Sequence, residues 1–234
     1  MNLLRTVSAT LALTALTSAC GLPVPFEWTS NPQQVNVDEL LGENTFNVPA
    51  GEDAEAAQDL IQQYLSEFSD EENWPEDLAE VKIDVPLLQT FPVDLTQNEQ
   101  VAAAADKLEA VAVDNLEVRF LANSINYSIP SFHFFTVDDG VTMPDAESFD
   151  MNSLPAGVQQ IGSMTGVEAK STGSFALEYS EGGKQLLSDA VLARKFNIAI
   201  YTQVTFDSTQ EGGLVPTGAA EVQAHIKGRI LSGN

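Results

Sequence analysis

Apolar and polar positions change period along this chain, and the change divides it. From Gly51 to Phe68 the apolar residues Ala54, Ala57, Leu60, Ile61, Tyr64, Leu65 and Phe68 recur every three or four positions. That spacing predicts an amphipathic helix with one face on a core. Glu52, Asp53 and Glu55 fall in its first turn, where negative charge complements the helix dipole. Val81 to Leu88 alternates instead and predicts a strand, with Pro86 at an edge or bulge. Thr96-Gln97-Asn98-Glu99 reads as a capping box opening an alanine-rich helix over Gln97–Ala110.

From about Val111 the period of two prevails. Leu116, Val118 and Phe120 alternate with polar neighbours, and Ile125, Tyr127 and Ile129 continue the pattern beyond a bend. Ser131–Val137 is an aromatic strand ending at the turn Asp138-Asp139-Gly140. Val141–Gly157 has no period. Ser174–Tyr179 alternates, Lys184–Arg194 predicts a short helix after Gly182-Gly183, and Phe196–Phe206 predicts a strand. In the last strand, Ala220, Val222, Ala224, Ile226, Gly228 and Ile230 share one side. Glu221, Gln223, His225, Lys227 and Arg229 share the other, so the strand should have one buried and one wet face.

Helices first and strands afterwards predict an α+β fold: an antiparallel β-sheet or β-sandwich with two to three helices packed on one side or end. The domain is expected to span residues 51–234. Gly21–Ala50, punctuated by Pro23, Pro25, Pro32 and Pro49, reads as a tether, with Phe26 and Trp28 as its exceptions.

The amino terminus reads differently. Met1 to Arg5 is a short basic region, Thr6 to Leu16 is apolar, and Thr17-Ser18-Ala19 leads to Cys20, the one cysteine of the chain. This is the layout of a secretory signal peptide, residues 1–19, whose apolar run is too short to span a bilayer needing about 20 residues. Leu16-Thr17-Ser18-Ala19-Cys20 resembles the lipobox of bacterial lipoproteins, with Thr17 where leucine is usual. The resemblance implies cleavage after Ala19, lipidation of Cys20 (a diacylglyceryl group on sulfur, an acyl chain such as palmitate on the new amine), and anchoring to the outer membrane. Two or more acyl chains are what stable anchoring requires. The stretch Asn115–Pro130 is also similar to strands of uncharacterised myxobacterial lipoproteins and of the Ig-like domain of late embryogenesis abundant proteins, which implies a β-sandwich.

Charge narrows the partners. Asp plus Glu number 34 against 10 Lys plus Arg, for a net charge of −24, and loss of Arg5 with the signal takes it to −25. Such a surface repels nucleic acid. The lone cysteine excludes an intramolecular disulfide.

Little in the sequence carries catalytic chemistry. His133 and His225 are isolated and read as structural or surface residues, and there is no Cys/His cluster for zinc. No Gly-x-Ser-x-Gly elbow or phosphate-binding loop occurs. Asp138, Asp139, Asp145, Glu147 and Asp150 crowd one irregular loop. Oxygen donors suit calcium, but the spacing is not that of an EF-hand, and a solvated acidic loop is the preferred reading. No cofactor is expected. The expected function is a membrane-anchored, non-catalytic binding or structural module with a protein or apolar small molecule as partner. The alternative is a carrier holding an apolar ligand in a sheet crevice, and a tethered hydrolase ranks last.

Overall fold

A computed structural model describes residues 23–37, 82–104, 108–207, 209 and 214–232. The expected helix Gly51–Phe68 and Cys20 lie outside the described residues. Ten strands, two α-helices and a 3-10 turn (Ala146–Ser148) are described: β1 (Val24–Thr29), β2 (Gln33–Asn36), β3 (Lys82–Asp94), α1 (Glu99–Ala104), β4 (Leu108–Asn123), β5 (Phe132–Asp138), β6 (Val158–Met164), β7 (Gly173–Ala176), β8 (Glu178–Tyr179), α2 (Gly183–Ala193), β9 (Lys195–Asp207) and β10 (Ala219–Ser232).

The strands form two five-stranded antiparallel sheets. In the first, β10 is flanked by β4, then β7, on one side. On its other side β1 pairs residues 225–230 of β10 and β2 pairs residues 219–222. The second has the order β3-β9-β5-β6-β8. The sheets face one another over a continuous apolar core, in which Phe120 of β4 meets Phe132 of β5 with ring centroids 6.3 Å apart.

The fold is therefore a mostly-β sandwich, and the α+β expectation with two to three packed helices is corrected. Alanine content was misleading at Gln97–Ala110. Among the described residues of that stretch Glu99–Ala104 is helical, and Leu108 onward belongs to β4, which pairs β10 for most of its length. Long-range pairing with β10 outweighs the helix propensity of a short alanine run. The cap is also different. Asn98, not Thr96, accepts the backbone N–H of Val101 (3.1 Å), while Thr96 N donates to Asp94 (2.9 Å).

The tether expectation is corrected as well, because two strands lie inside Gly21–Ala50. Val24, Phe26 and Trp28 alternate along β1 and pair with Ile230, Gly228 and Ile226. Pro25 is tolerated because β1 is an edge strand. The prolines of β3 obey the same rule. Pro86 and Pro92 share parity on an edge strand, so their missing donors fall on the side away from β9.

Two local features keep the core face continuous. On β4 the buried positions switch from Val111 and Val113 to Leu116, Val118 and Phe120. A bulge at Asp114 absorbs the change, because Lys227 pairs Asn115 while Gly228 pairs Val113. On β5 nearly every residue is buried, because the second sheet is covered on both faces. Phe132 and Phe134 enter the inter-sheet core, while Phe135 and Val137 pack under Phe149, Val141, Met143 and Leu154 of the loop after β5.

Candidate functional site

Between the sheets, away from α2, lies a cavity of about 110 Å³. Val85, Leu87 and Phe91 come from β3, Val118 and Phe120 from β4, Ile200, Val204 and Phe206 from β9, and Ala220 and Val222 from β10. Each lies on its strand's inward parity, which is why one sheet face supplies several apolar walls. Polar groups are few. Thr202 is buried and donates to Ser131 O (3.2 Å), and the Tyr127 hydroxyl donates to Leu214 O (2.6 Å), so both are satisfied. Gln89 differs in being exposed: it stands at the rim on an inward position and its amide donates to Gln33 Oε1 on β2.

The volume sets the chemistry. An apolar cavity of about 150 Å³ stays dry and binds benzene, whereas drug-sized pockets run to about 300 Å³ and more. At about 110 Å³ this cavity is smaller than the benzene-binding one, so a short alkyl chain suits it and a single aromatic ring is the upper limit. Among the described residues, the one titratable side chain that lines the cavity is the Tyr127 phenol, whose hydroxyl is engaged with Leu214 O.

His225 is placed where the wet face was expected, yet it is only 3% exposed. β10 is a central strand, and Thr29 on β1 and Glu117 on β4 stand directly opposite His225. Its Nδ1 lies 2.7 Å from Thr29 Oγ1. Its Nε2 has no hydrogen-bond partner and sits 3.8 Å from Glu27 Oε2. Burial, then the neighbouring Arg119 guanidinium, holds the imidazole below its ordinary pKa; Glu117 and Glu27 oppose this and Lys227 adds to it. A hydroxyl, an imidazole and a carboxylate are thus aligned, but on the outer surface of a sheet. Neither the cavity nor a polar depression at the Pro32–Ala122–Glu221 surface is lined by His225 or by His133. His133 is half-buried, its Nδ1 3.3 Å from the Gln160 amide.

The acidic loop has a packing role. Asp138, Asp139, Asp145, Glu147 and Asp150 are exposed. Asp150 accepts the backbone N–H of Asn152 (2.8 Å), which shapes a local turn. Phe149 between them is buried, 5.2 Å from the Phe135 ring and 5.1 Å from that of Tyr201. Among the described residues no group of three or more His, Cys, Asp or Glu is arranged to hold a metal ion.

Sequence reasoning found the β3 wall of the cavity through the alternation Val81–Leu88 but missed β1 and the β2 wall. The signal was available in the alternation Val24-x-Phe26-x-Trp28 and in Gln33-x-Val35-x-Val37, but the interspersed prolines masked it.

No protein-family model matches the chain, and no curated protein does. Among solved structures, it is similar to a chain of mud crab tombus-like virus at 10% identity and TM-score 0.30, covering 100% of this chain and 94% of that one. It is similar to a chain of the giant freshwater prawn Macrobrachium rosenbergii nodavirus particle at 9% identity and TM-score 0.34, covering 100% and 95%. Likeness at those scores carries no functional implication.

Proposed function

We propose that this chain is a lipid-anchored envelope protein, held to a bacterial membrane through Cys20, whose β-sandwich is a non-catalytic module that carries a small apolar ligand between its sheets. The observation that carries the ligand reading is the 110 Å³ cavity, walled by apolar side chains from both sheets. The Leu16–Cys20 motif supports the anchoring. The enzyme reading has less behind it, since the histidines stand outside the cavity.

Two measurements test the two halves. Cys20→Ala should abolish acylation seen by mass spectrometry and release the protein from membranes; unchanged membrane partitioning of the variant would sink the anchor. For the ligand, fluorobenzene at about 100 times its Kd should stabilise the chain by about 2.7 kcal/mol in denaturant titrations. Ala220→Ile, which puts extra carbons into the cavity from β10, should remove that gain. Equal gains in parent and variant would place the ligand elsewhere.

A further inference from the structure

Among the described residues, the cavity's walls are not equally closed. On one flank the sheets are stitched by the chain itself. β7 is an edge of the first sheet and β8 an edge of the second, and the single residue Leu177 joins them. Leu177 is buried and its N–H donates to Leu116 O (2.9 Å). One end is plugged by α2, which contacts β4, β6 and β9 and sends Leu187 and Val191 into the core. At the other end Asn126 bonds both sides of the 214–218 segment, donating to Val215 O (2.7 Å) and accepting from Thr217 N (2.8 Å).

The remaining flank is different. There the edge strands β2 and β3 belong to opposite sheets and share no ladder. Val35 and Leu87, half-buried, line the cavity from the two sides. Gln33 and Gln89 bond across the gap. Register makes this pair unusual. Gln33 stands opposite Val222 and Gln89 opposite Ile200, so both amides occupy inward positions that the pattern would assign to apolar residues. A neutral amide pair at such a place can exchange its bond for water at little net cost, whereas an apolar pair would seal the rim.

We propose that the seam between β2 and β3 is the entrance to the cavity, that Gln33–Gln89 is its latch, and that it passes small non-polar molecules of about one aromatic ring. The proposal rests on the reading that the cavity holds an apolar ligand. A latch stands in the path of both binding and release, so altering it changes both rates together and leaves Kd unchanged. Residues that merely shape the cavity would move Kd.

Exchange of fluorobenzene with the full mature chain, followed by ¹⁹F NMR, reads both rates. Gln33→Glu with Gln89→Glu sets like charges across the seam and should raise association and dissociation rates by roughly fivefold, the factor one net hydrogen bond represents. Gln33→Lys with Gln89→Glu sets an ion pair there and should slow both, again at constant Kd. Binding with rates indifferent to both pairs would overturn the entrance while leaving the cavity ligand intact. A change in Kd with a constant association rate would likewise overturn it. Absence of fluorobenzene binding to the parent chain would remove the ligand reading itself, and the entrance with it.

Discussion

His225 shows how far a single position departs from its pattern. Its parity was legible: it does point away from Ile226, on the side of Gln223 and Lys227. Its burial was not, because parity names a face but not a strand's place in the sheet. On a central strand, flanked by β1 and β4, even an outward side chain is covered. The consequence is a pH dependence with a definite sign. The folded pKa lies below the ordinary value of about 6.5 that the unfolded chain retains. Between those values the unfolded state binds more protons, so stability rises with pH there. The contribution is fully present above pH 6.5 and is lost as pH falls through the folded pKa. Denaturation midpoints should therefore decline on acidification from pH 7.5 before the carboxylates titrate. His225→Gln, which keeps a polar group beside Thr29, should flatten that part of the profile; an unchanged slope would show that another group sets it.

At the scale of elements, the strands from β4 onward were legible where both faces differ, and the boundaries were lost where tertiary pairing decides. Ser174–Tyr179 alternates without a break, yet it is two strands in two sheets, because the chain crosses the sandwich at Leu177. Nothing in a period of two marks a change of sheet. β10 and β1 show the converse, a sequence oddity explained by pairing. Gly228 interrupts an apolar row on a central strand and stands opposite Phe26. A Cβ there would lie 2.6 Å from the Phe26 ring and 2.9 Å from Ala112 O. The glycine makes room for the ring to lie across β10, and Phe26 is 2% exposed as a result. Gly228→Ala should cost roughly 1–3 kcal/mol by overpacking. In a urea series, Gly228→Ala combined with Phe26→Leu should be less destabilised than the two single changes summed, since they share the same space. Strict additivity would mean that the ring and the glycine are not coupled.

Across the whole molecule, what the sequence concealed is where the folded body starts. Composition led to a domain at Gly51, since Pro23, Pro25 and Pro32 look like linker residues. Proline excludes a central strand, not an edge, and both strands of that segment are edges. The interval between Cys20 and β1 is then only Gly21, Leu22 and Pro23, a span from Cys20 to Val24 of at most about 14 Å. An anchor at Cys20 would thus hold the sandwich close to the bilayer. The start also decides which fragments can fold. Beginning at Gly51 removes β1 and β2 together, and with them every described strand pairing the outer side of β10. β10 is buried at Ala220, Val222, Ala224, Ile226 and Ile230, so its new edge would offer unpaired backbone groups beside apolar side chains. Such an edge templates association between chains. The loss of buried Phe26 alone is comparable to a Phe→Ala truncation, about 3–5 kcal/mol, a large part of the 5–15 kcal/mol that stabilises a typical domain. A fragment beginning at Gly21 should therefore unfold cooperatively as a monomer. One beginning at Gly51 should aggregate or melt without a cooperative transition, as size-exclusion chromatography and calorimetry would record. A monomeric, cooperatively melting Gly51 fragment would return β1 and β2 to the status of a tether.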